Sequence, residues 1–326
     1  MPLSSEERYY IKLKASYLYY KENKTQAEIA ELFHISRPTL IKLLNDARKE
    51  GIVTIEIHDI RMGSQYIELE QELCKKLGLK DVKIVGVGSP SQEAVNSSIG
   101  EAAAAYFVNA LNPGMTIGIG WGNTLQTMAN FMRPDLSVKG LDIIPLLGGL
   151  RSTGSDSYTM FANSLCETVA SRFQDASVSM LYTPLIAQDH KIAETLLASE
   201  DVASIFDKMK HLDIAIVGID GDPAHSTTVK LEKNLQSIYY ELQQKQYVGN
   251  ICSRFYNLDG ELATLSLEEN IIAVSPENLR NTPTVIGAAG GEYKVPSIIG
   301  AARAKLFNIL ITDEYTAKKL VEYPAE

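Results

Sequence analysis

The chain is poor in the residues that staple small secreted folds or build metal centres. Its three cysteines, Cys74, Cys166 and Cys252, lie far apart with no CxxC pair and no histidine at ligand spacing. That argues against a disulfide framework and against a zinc site, and predicts reduced, buried thiols. No apolar run is long enough to span a bilayer and no signal peptide is present, so a cytoplasmic protein with no membrane partner is expected. Positive charge is not in excess either: 31 Lys and Arg against 40 Asp and Glu leave a net charge of −9. What remains is an ordinary folded composition, 45% apolar and 22% charged, over 326 residues. That length holds two domains and a sizeable core.

The stretch TQAEIAELFHISRPTLIKLLNDARKEG, residues 25–51, declares its structure locally. Thr25 and Glu28 form a capping box that opens a short helix, and Ala27, Ile29, Ala30, Leu32 and Phe33 supply its apolar side. His34, Ile35 and Ser36 make a turn. Ser36 is a good N-cap, Pro38 is tolerated in a first turn, and Leu40, Leu43, Leu44 and Ala47 recur at helical spacing to about Glu50. This is the order of a helix-turn-helix unit. With the apolar stripe inward, Arg37, Thr39 and Lys42 project from the half of the second helix that enters a major groove, beside Ser36 and Pro38. Gln26, Arg48 and Lys49 are placed for phosphates, which position a protein without reading sequence. The competing reading, a helical hairpin with a solvated charged face, explains each residue singly but not the caps, turn and stripe together.

Around this unit a first helix is expected from about Ser5 to Tyr20, and a strand over residues 52–57 would form a wing. Residues 1–62 then make a DNA-binding domain. Tyr66, Leu69, Leu73 and Leu77 mark a connecting helix within a linker at 63–80, stopped by Gly78. Its stripe could serve a dimer seam or pack on its own chain. Residues 1–60 hold nine cations and nine anions, so the whole charge deficit sits in the larger part. A neutral reading head grips DNA weakly alone, and oligomerisation is the natural remedy.

Beyond Lys80, short apolar runs alternate with helical segments, at 82–87, 115–120, 143–147, 178–182, 214–219, 271–274, 285–287 and 309–312. The pattern predicts an α/β domain over 81–326, a doubly wound, mostly parallel sheet covered on both faces, with ligands at the carboxyl ends of its strands. Glycine-rich loops fall there. The first, GIGWGNT, runs from Gly118 through Gly120 and Gly122 to Thr124 and would expose helix N-terminal amides to an anion. Asn123 breaks the dinucleotide fingerprint, so no nicotinamide cofactor is expected. Gly148 and Gly149 lead into Arg151, Ser152 and Thr153, and Ala289 to Lys294 ends on a cation. Each alone reads as a tight strand-to-helix turn; three in one sheet favour a phosphorylated small ligand.

Taken in order, the reader helix pair, GIGWGNTL, PLLGG, DIAIVGI, VGNICSRFYNLDG, AAGGEYK and FNILITDEYTAKKL resemble the SorC family of bacterial sugar-responsive transcription regulators over nearly the whole chain. The resemblance implies an effector domain related to glucosamine-6-phosphate deaminase and ribose-5-phosphate isomerase folds, a sugar-phosphate effector and a homo-oligomer, dimer or tetramer. It implies phosphate and sugar contacts at Gly122, Asn123, Thr124, Gly149, Ser152, Thr153 and Lys294, with Asp220 and Asn250 facing hydroxyls. Some relatives carry Lys just before the Gly-Gly pair, where it can form an imine with an open-chain sugar; Leu147 stands here, so non-covalent binding is expected. Asn250 replaces a usual acid and Asp220 a common Gly. The expected function is an operator-binding regulator of carbohydrate use, controlled by a phosphorylated sugar or sugar alcohol. The alternative is a sugar-phosphate isomerase or deaminase with a DNA-binding tail, for which Asp220, Glu292 or Asp259 would have to act as base. Nothing pairs any of them with a second acid or base in sequence.

Overall fold

Helices α1 (Ser5–Tyr20), α2 (Gln26–Leu32) and α3 (Arg37–Lys49) form the first of two compact units, Met1–Ser64 and Gln65–Glu326. The computed structural model describes residues 5–53, 66–150 and 161–324. The capping box is formed: Glu28 accepts from the Thr25 amide at 2.8 Å, and Thr25 Oγ1 accepts from the Glu28 amide at 3.3 Å. His34 takes a left-handed φ of 52°, which turns the chain so that Ser36 caps α3 by accepting from the Thr39 amide. Ala15, Leu18, Ile29, Ala30, Leu40 and Leu44 then close one small core. Lys12, nearly buried, reaches Glu50 at 2.5 Å and ties α1 to the end of α3. Of the wing expected at 52–57, Ile52 and Val53 donate their amides to the Ala47 carbonyl, and residues 54–57 lie outside those described.

The second unit opens with α4 (Ile67–Leu77), ended by Gly78 in the left-handed conformation. Its Leu73 is fully buried in the same cluster as Val82 and Ile84, so the stripe of α4 packs on its own chain. From Gln65 on, the expected linker therefore belongs to the larger unit.

The chain continues through β1 (Asp81–Val85), α5 (Gln92–Ala110), β2 (Thr116–Ile119), α6 (Asn123–Phe131), β3 (Asp135–Lys139) and β4 (Asp142–Pro145). Next come α7 (Ala162–Ala170), β5 (Phe173–Gln174), β6 (Ser177–Val178), α8 (His190–Leu197), α9 (Glu200–Lys208) and β7 (Ile214–Gly218). Three short helices, α10 (Thr227–Leu231), α11 (Lys233–Ser237) and α12 (Tyr239–Gln244), precede the hairpin β8 (Gly249–Ile251) and β9 (Arg254–Tyr256). The last elements are α13 (Pro276–Asn281), β10 (Thr284–Ala288), α14 (Val295–Arg303), β11 (Ile309–Asp313) and α15 (Glu314–Glu322).

Seven strands pair in parallel in the order β1-β11-β10-β7-β2-β4-β6. Both faces are buried, and alternate residues of one strand enter different cores. Ile214, Ile216, Ile286, Ile309 and Ile311 join Phe107 and Met128 on one side. Ala215, Val217, Val285 and Leu310 join Leu73 and Leu320 on the other. A two-residue period with both phases apolar reads in sequence as a continuous run, the mark of a covered parallel sheet.

Two expected strands end differently. Residues 271–274 make only isolated antiparallel bridges, Ile271 to Ile186 and Ala273 to Leu147, and stay outside the large sheet. Their apolar run is buried as deeply as a central strand's, which is why periodicity could not separate the two cases. The run at 178–182 pairs only through Val178; further on, the Asn163 side-chain amide exchanges two hydrogen bonds of 3.1 Å with the Leu181 backbone.

Connectivity opens a crevice beside the sheet. From β2 the chain moves outward through β4 to β6, then returns to lay β7 on the other side of β2. The β2–β7 boundary is therefore a topological switch point, where loops leaving adjacent strands diverge and open a crevice.

Candidate functional site

On the first unit, Arg37, Pro38, Thr39 and Lys42 are exposed along the start of α3, and Arg37 lines a surface hollow with Gln26, Lys24 and Thr25. The structure thus brings the expected phosphate contact Gln26 beside the expected groove contact Arg37. Ser36 is occupied: it caps α3, and its hydroxyl lies 2.7 Å from Thr39 Oγ1. Its part is to hold Thr39 and the helix start. Arg48 Nε donates to Tyr20 Oη at 2.7 Å and its guanidinium lies 5.4 Å from that ring, an arrangement that fixes the plane it offers.

On the second unit a cleft enclosing about 710 Å³ of empty space, its open mouth included, lies at the carboxyl ends of β2, β7 and β10. Gly122, Asn123, Thr124, Asp220, Asn250 and Lys294, from four separate stretches of the sequence, all line it. Gly122 at φ 128° is the N-cap of α6 and has no side chain to satisfy the first amides of that helix. A side chain there would be strained, and among the described residues no side chain caps the first amides of α6, an arrangement suited to an anion.

Lys294 is the one cationic side chain among the described residues of the cleft. It is only partly exposed, and Nζ donates to the Ile219 carbonyl at 2.9 Å. Burial holds its pKa below the ordinary lysine value, opposed by the attraction of Asp220. A half-buried cation with no ion-pair partner among the described residues gains most from an arriving anion.

Asp220 is not such a partner, because its carboxylate is engaged elsewhere. Oδ2 accepts from Ser226 Oγ at 2.6 Å, from the Thr228 hydroxyl at 3.1 Å and amide at 3.2 Å, and from Asn250 Nδ2 at 3.4 Å. Oδ1 accepts from the Gly221 amide. Asp220 and Asn250 together pin the loop after β7 to the hairpin turn after β8. These bonds give the Asp220 carboxylate a structural task in holding the loop. Asp259 stands 3.6 Å from Arg303 and is not among the cleft residues, and Glu292 is exposed and likewise outside them.

Three expected contacts serve the backbone. The Gly120 amide donates to Ile216, that of Gly148 to Ile272 and that of Gly149 to Thr183, all within 2.9 Å, and none of the three lines the cleft. Ser152 and Thr153 lie outside the described residues. In the AAGGEYK loop, the Gly291 amide donates to Asp313 and Thr316, and a Cβ on Gly290 would meet Asp313 Oδ2 at 2.3 Å. These glycines let the loop pack on the start of α15, and from this segment Ala288, at the end of β10, and Tyr293 and Lys294 line the cleft.

Sequence reading missed Gln92 and Asn96, which line the cleft from α5, and Trp121, Tyr293 and Cys252. Gln92 and Asn96, four apart behind the Ser91 cap, carried the only local signal. Burial raises the Cys252 thiol to about 12, with Arg254 pulling the other way, so it is a neutral surface and not a nucleophile. Among the described residues no group of His, Cys, Asp and Glu could hold a metal ion, and no helix is long and apolar enough to cross a membrane.

A helix-turn-helix unit joined to a parallel α/β body with a polar crevice at its switch point is the build of a ligand-responsive DNA-binding regulator. The Sugar-bind domain family matches residues 63–322, and the chain belongs to the SorC family of sugar-binding transcriptional regulators. It is 29% identical over 316 residues to the sorbitol operon regulator of Klebsiella pneumoniae, covering 95% of this chain and 97% of that one. It is also 29% identical over 324 residues to the deoxyribonucleoside regulator of Bacillus subtilis strain 168, covering 97% and 98%. The crystal structure of the full-length Klebsiella regulator superposes with a TM-score of 0.72 over 97% of this chain and 100% of that one, at 29% identity. A DeoR family transcriptional regulator from Listeria monocytogenes gives a TM-score of 0.70 at 27% identity, covering 78% and 99%.

Proposed function

We propose that this protein binds operator DNA of a carbohydrate-utilisation operon and that a phosphorylated sugar or sugar alcohol, held non-covalently in the cleft, sets how firmly it does so. The observation that carries the reading is the meeting of the uncapped α6 amides with the half-buried Lys294 at the switch point. Amides aimed from a helix start and a desolvated cation are together what a phosphate ester needs. Leu147, standing before the Gly148-Gly149 pair, offers no amine for an imine, which supports reversible binding.

Operator contact is assigned to Arg37, Thr39 and Lys42 in the groove, with Gln26 and Arg48 on phosphates and Ser36 and Pro38 shaping the helix start. Such a regulator works in the cytoplasm as a homo-oligomer, because a head with balanced charge needs a second head to grip a duplex. The relatives are named as regulators, which supports a binding protein over an enzyme. A thermal-shift screen of the full-length protein against phosphorylated pentoses, hexoses and hexitols, followed by gel-shift titration with the ligand found, tests the reading. Stabilisation by one ester, accompanied by a change in operator affinity, is expected. A protein blind to every ester, or one whose operator affinity ignores a bound ester, would overturn it.

A further inference from the structure

Gln92 and Asn96 project from the first two turns of α5 and meet Thr124 at the start of α6. Gln92 Nε2 lies 3.2 Å from the Gly290 carbonyl and 2.9 Å from Asn96 Oδ1, and Thr124 Oγ1 lies 3.2 Å from that same Oδ1. The directions of these bonds follow from one atom. A backbone carbonyl can only accept, so the Gln92 atom facing Gly290 is the amide nitrogen. The Asn96 atom it also meets is then the oxygen, and the Thr124 hydroxyl must give its proton to it.

What this chain of bonds leaves over is specific. Asn96 Nδ2 keeps its N–H groups with no acceptor among the described residues, and Gln92 Oε1 has no donor there. Thr124, 6% exposed, has spent its proton and offers only lone pairs. An anionic oxygen placed here would meet lone pairs on two sides. A hydroxyl would accept from Asn96 while donating to Thr124 or Gln92.

We propose that Gln92, Asn96 and Thr124 form a subsite for a hydroxyl-bearing carbon of the effector, distinct from the anion position at the α6 amides and Lys294. This rests on the reading of the cleft as a sugar-phosphate site and adds to it: Thr124 belongs with the polyol end of the ligand, and the ligand must carry a hydroxyl there. Gln92 is a positioning residue, since its bond to Gly290 sets the polarity of the other two.

Calorimetric titration of the full-length protein with D-glucitol 6-phosphate, D-ribose 5-phosphate and unphosphorylated D-glucitol tests it. Inorganic phosphate is read as a competitor of the tighter ester, so that weak binding suffices. Asn96→Ala is expected to weaken that ester about 10- to 100-fold, the cost of a lost buried hydrogen bond, while shifting inorganic phosphate by no more than about twofold. Asn96→Asp, equal in shape but presenting acceptors, is expected to weaken it further, and urea midpoints check that both variants fold. Equal losses for ester and inorganic phosphate, or no loss for either, would overturn the subsite and leave the sugar-phosphate reading standing. Glucitol binding as tightly as its phosphate, and lost in Asn96→Ala, would support the subsite and sink the phosphate reading. If wild type binds no polyol, with or without phosphate, both are overturned.

Discussion

At the scale of single residues, Lys294 and Ser253 make opposite demands on the fold. Burial depresses the Lys294 pKa, so affinity for an anion is full while the ammonium persists and falls as pH rises through that depressed value. The decline should begin at lower pH than an ordinary lysine would produce. A phosphate ester's own second ionisation, near about 6, raises affinity from the acid side. Titrations from acid to alkaline pH should therefore show a plateau, and Lys294→Met should lose its alkaline edge along with about 10- to 100-fold in affinity. A wild-type profile in that variant would remove Lys294 from the site. Ser253 instead carries strain. Cys252 and Ser253 form the β8–β9 turn with φ of 49° and 63°, and the Ser253 hydroxyl is buried with no partner among the described residues. Glycine relieves both the left-handed backbone and the orphan hydroxyl but adds freedom to the unfolded chain. The first two effects outweigh the third, so Ser253→Gly is expected to stabilise the protein by about 1 kcal/mol in urea unfolding. A lower midpoint would mean that the turn is not strained.

Elements whose ends are written in side chains were legible, and those decided by topology were not. The helix-turn-helix pair could be read because Thr25, Glu28 and Ser36 act within three residues of themselves. Thr25→Ala removes one half of that box and should cost the first unit about 1 kcal/mol, read as a lower melting temperature and a proportionate loss of operator binding. No loss would show that packing alone sets the start of α2. Most parallel strands were legible as runs buried on both sides, yet the same signature misplaced 271–274. The β8–β9 hairpin escaped notice because its turn is Cys-Ser, where sequence reading looks for Asn-Gly. The cleft was half legible. Gly122 and Lys294 stand on the loops that sequence pointed to, whereas Gly148 and Gly149 spend their amides on strand-like bonds. Gln92 and Asn96 lie on α5, which follows the edge strand β1, crosses β11 and β10 and packs on α6 beside the cleft. No local pattern encodes that crossing.

For the whole molecule, the proposed function requires that binding at the cleft and at the duplex be linked in both directions. If an ester changes operator affinity by some factor, operator must change ester affinity by the same factor, whatever path joins the two units. The ester acts only through its differential affinity for two arrangements of the protein, and a coupling of about 1–3 kcal/mol, typical of regulators, corresponds to about 5- to 150-fold. Trp121 supplies the means of measurement. It is the chain's one tryptophan, it lines the cleft, and its ring lies 5.8 Å from that of Phe161. Fluorescence titration of the ester with free protein and with operator-saturated protein should give dissociation constants whose ratio equals the ratio of operator affinities measured with and without ester. Saturation must be held at constant salt, because phosphate contacts make the operator term steeply salt-dependent while a desolvated site feels salt less. Arg37→Ala should weaken operator binding yet leave the ester affinity of free protein unchanged. Ester constants identical with and without operator, in a protein that binds both, would show two independent sites on one chain and remove the regulatory link.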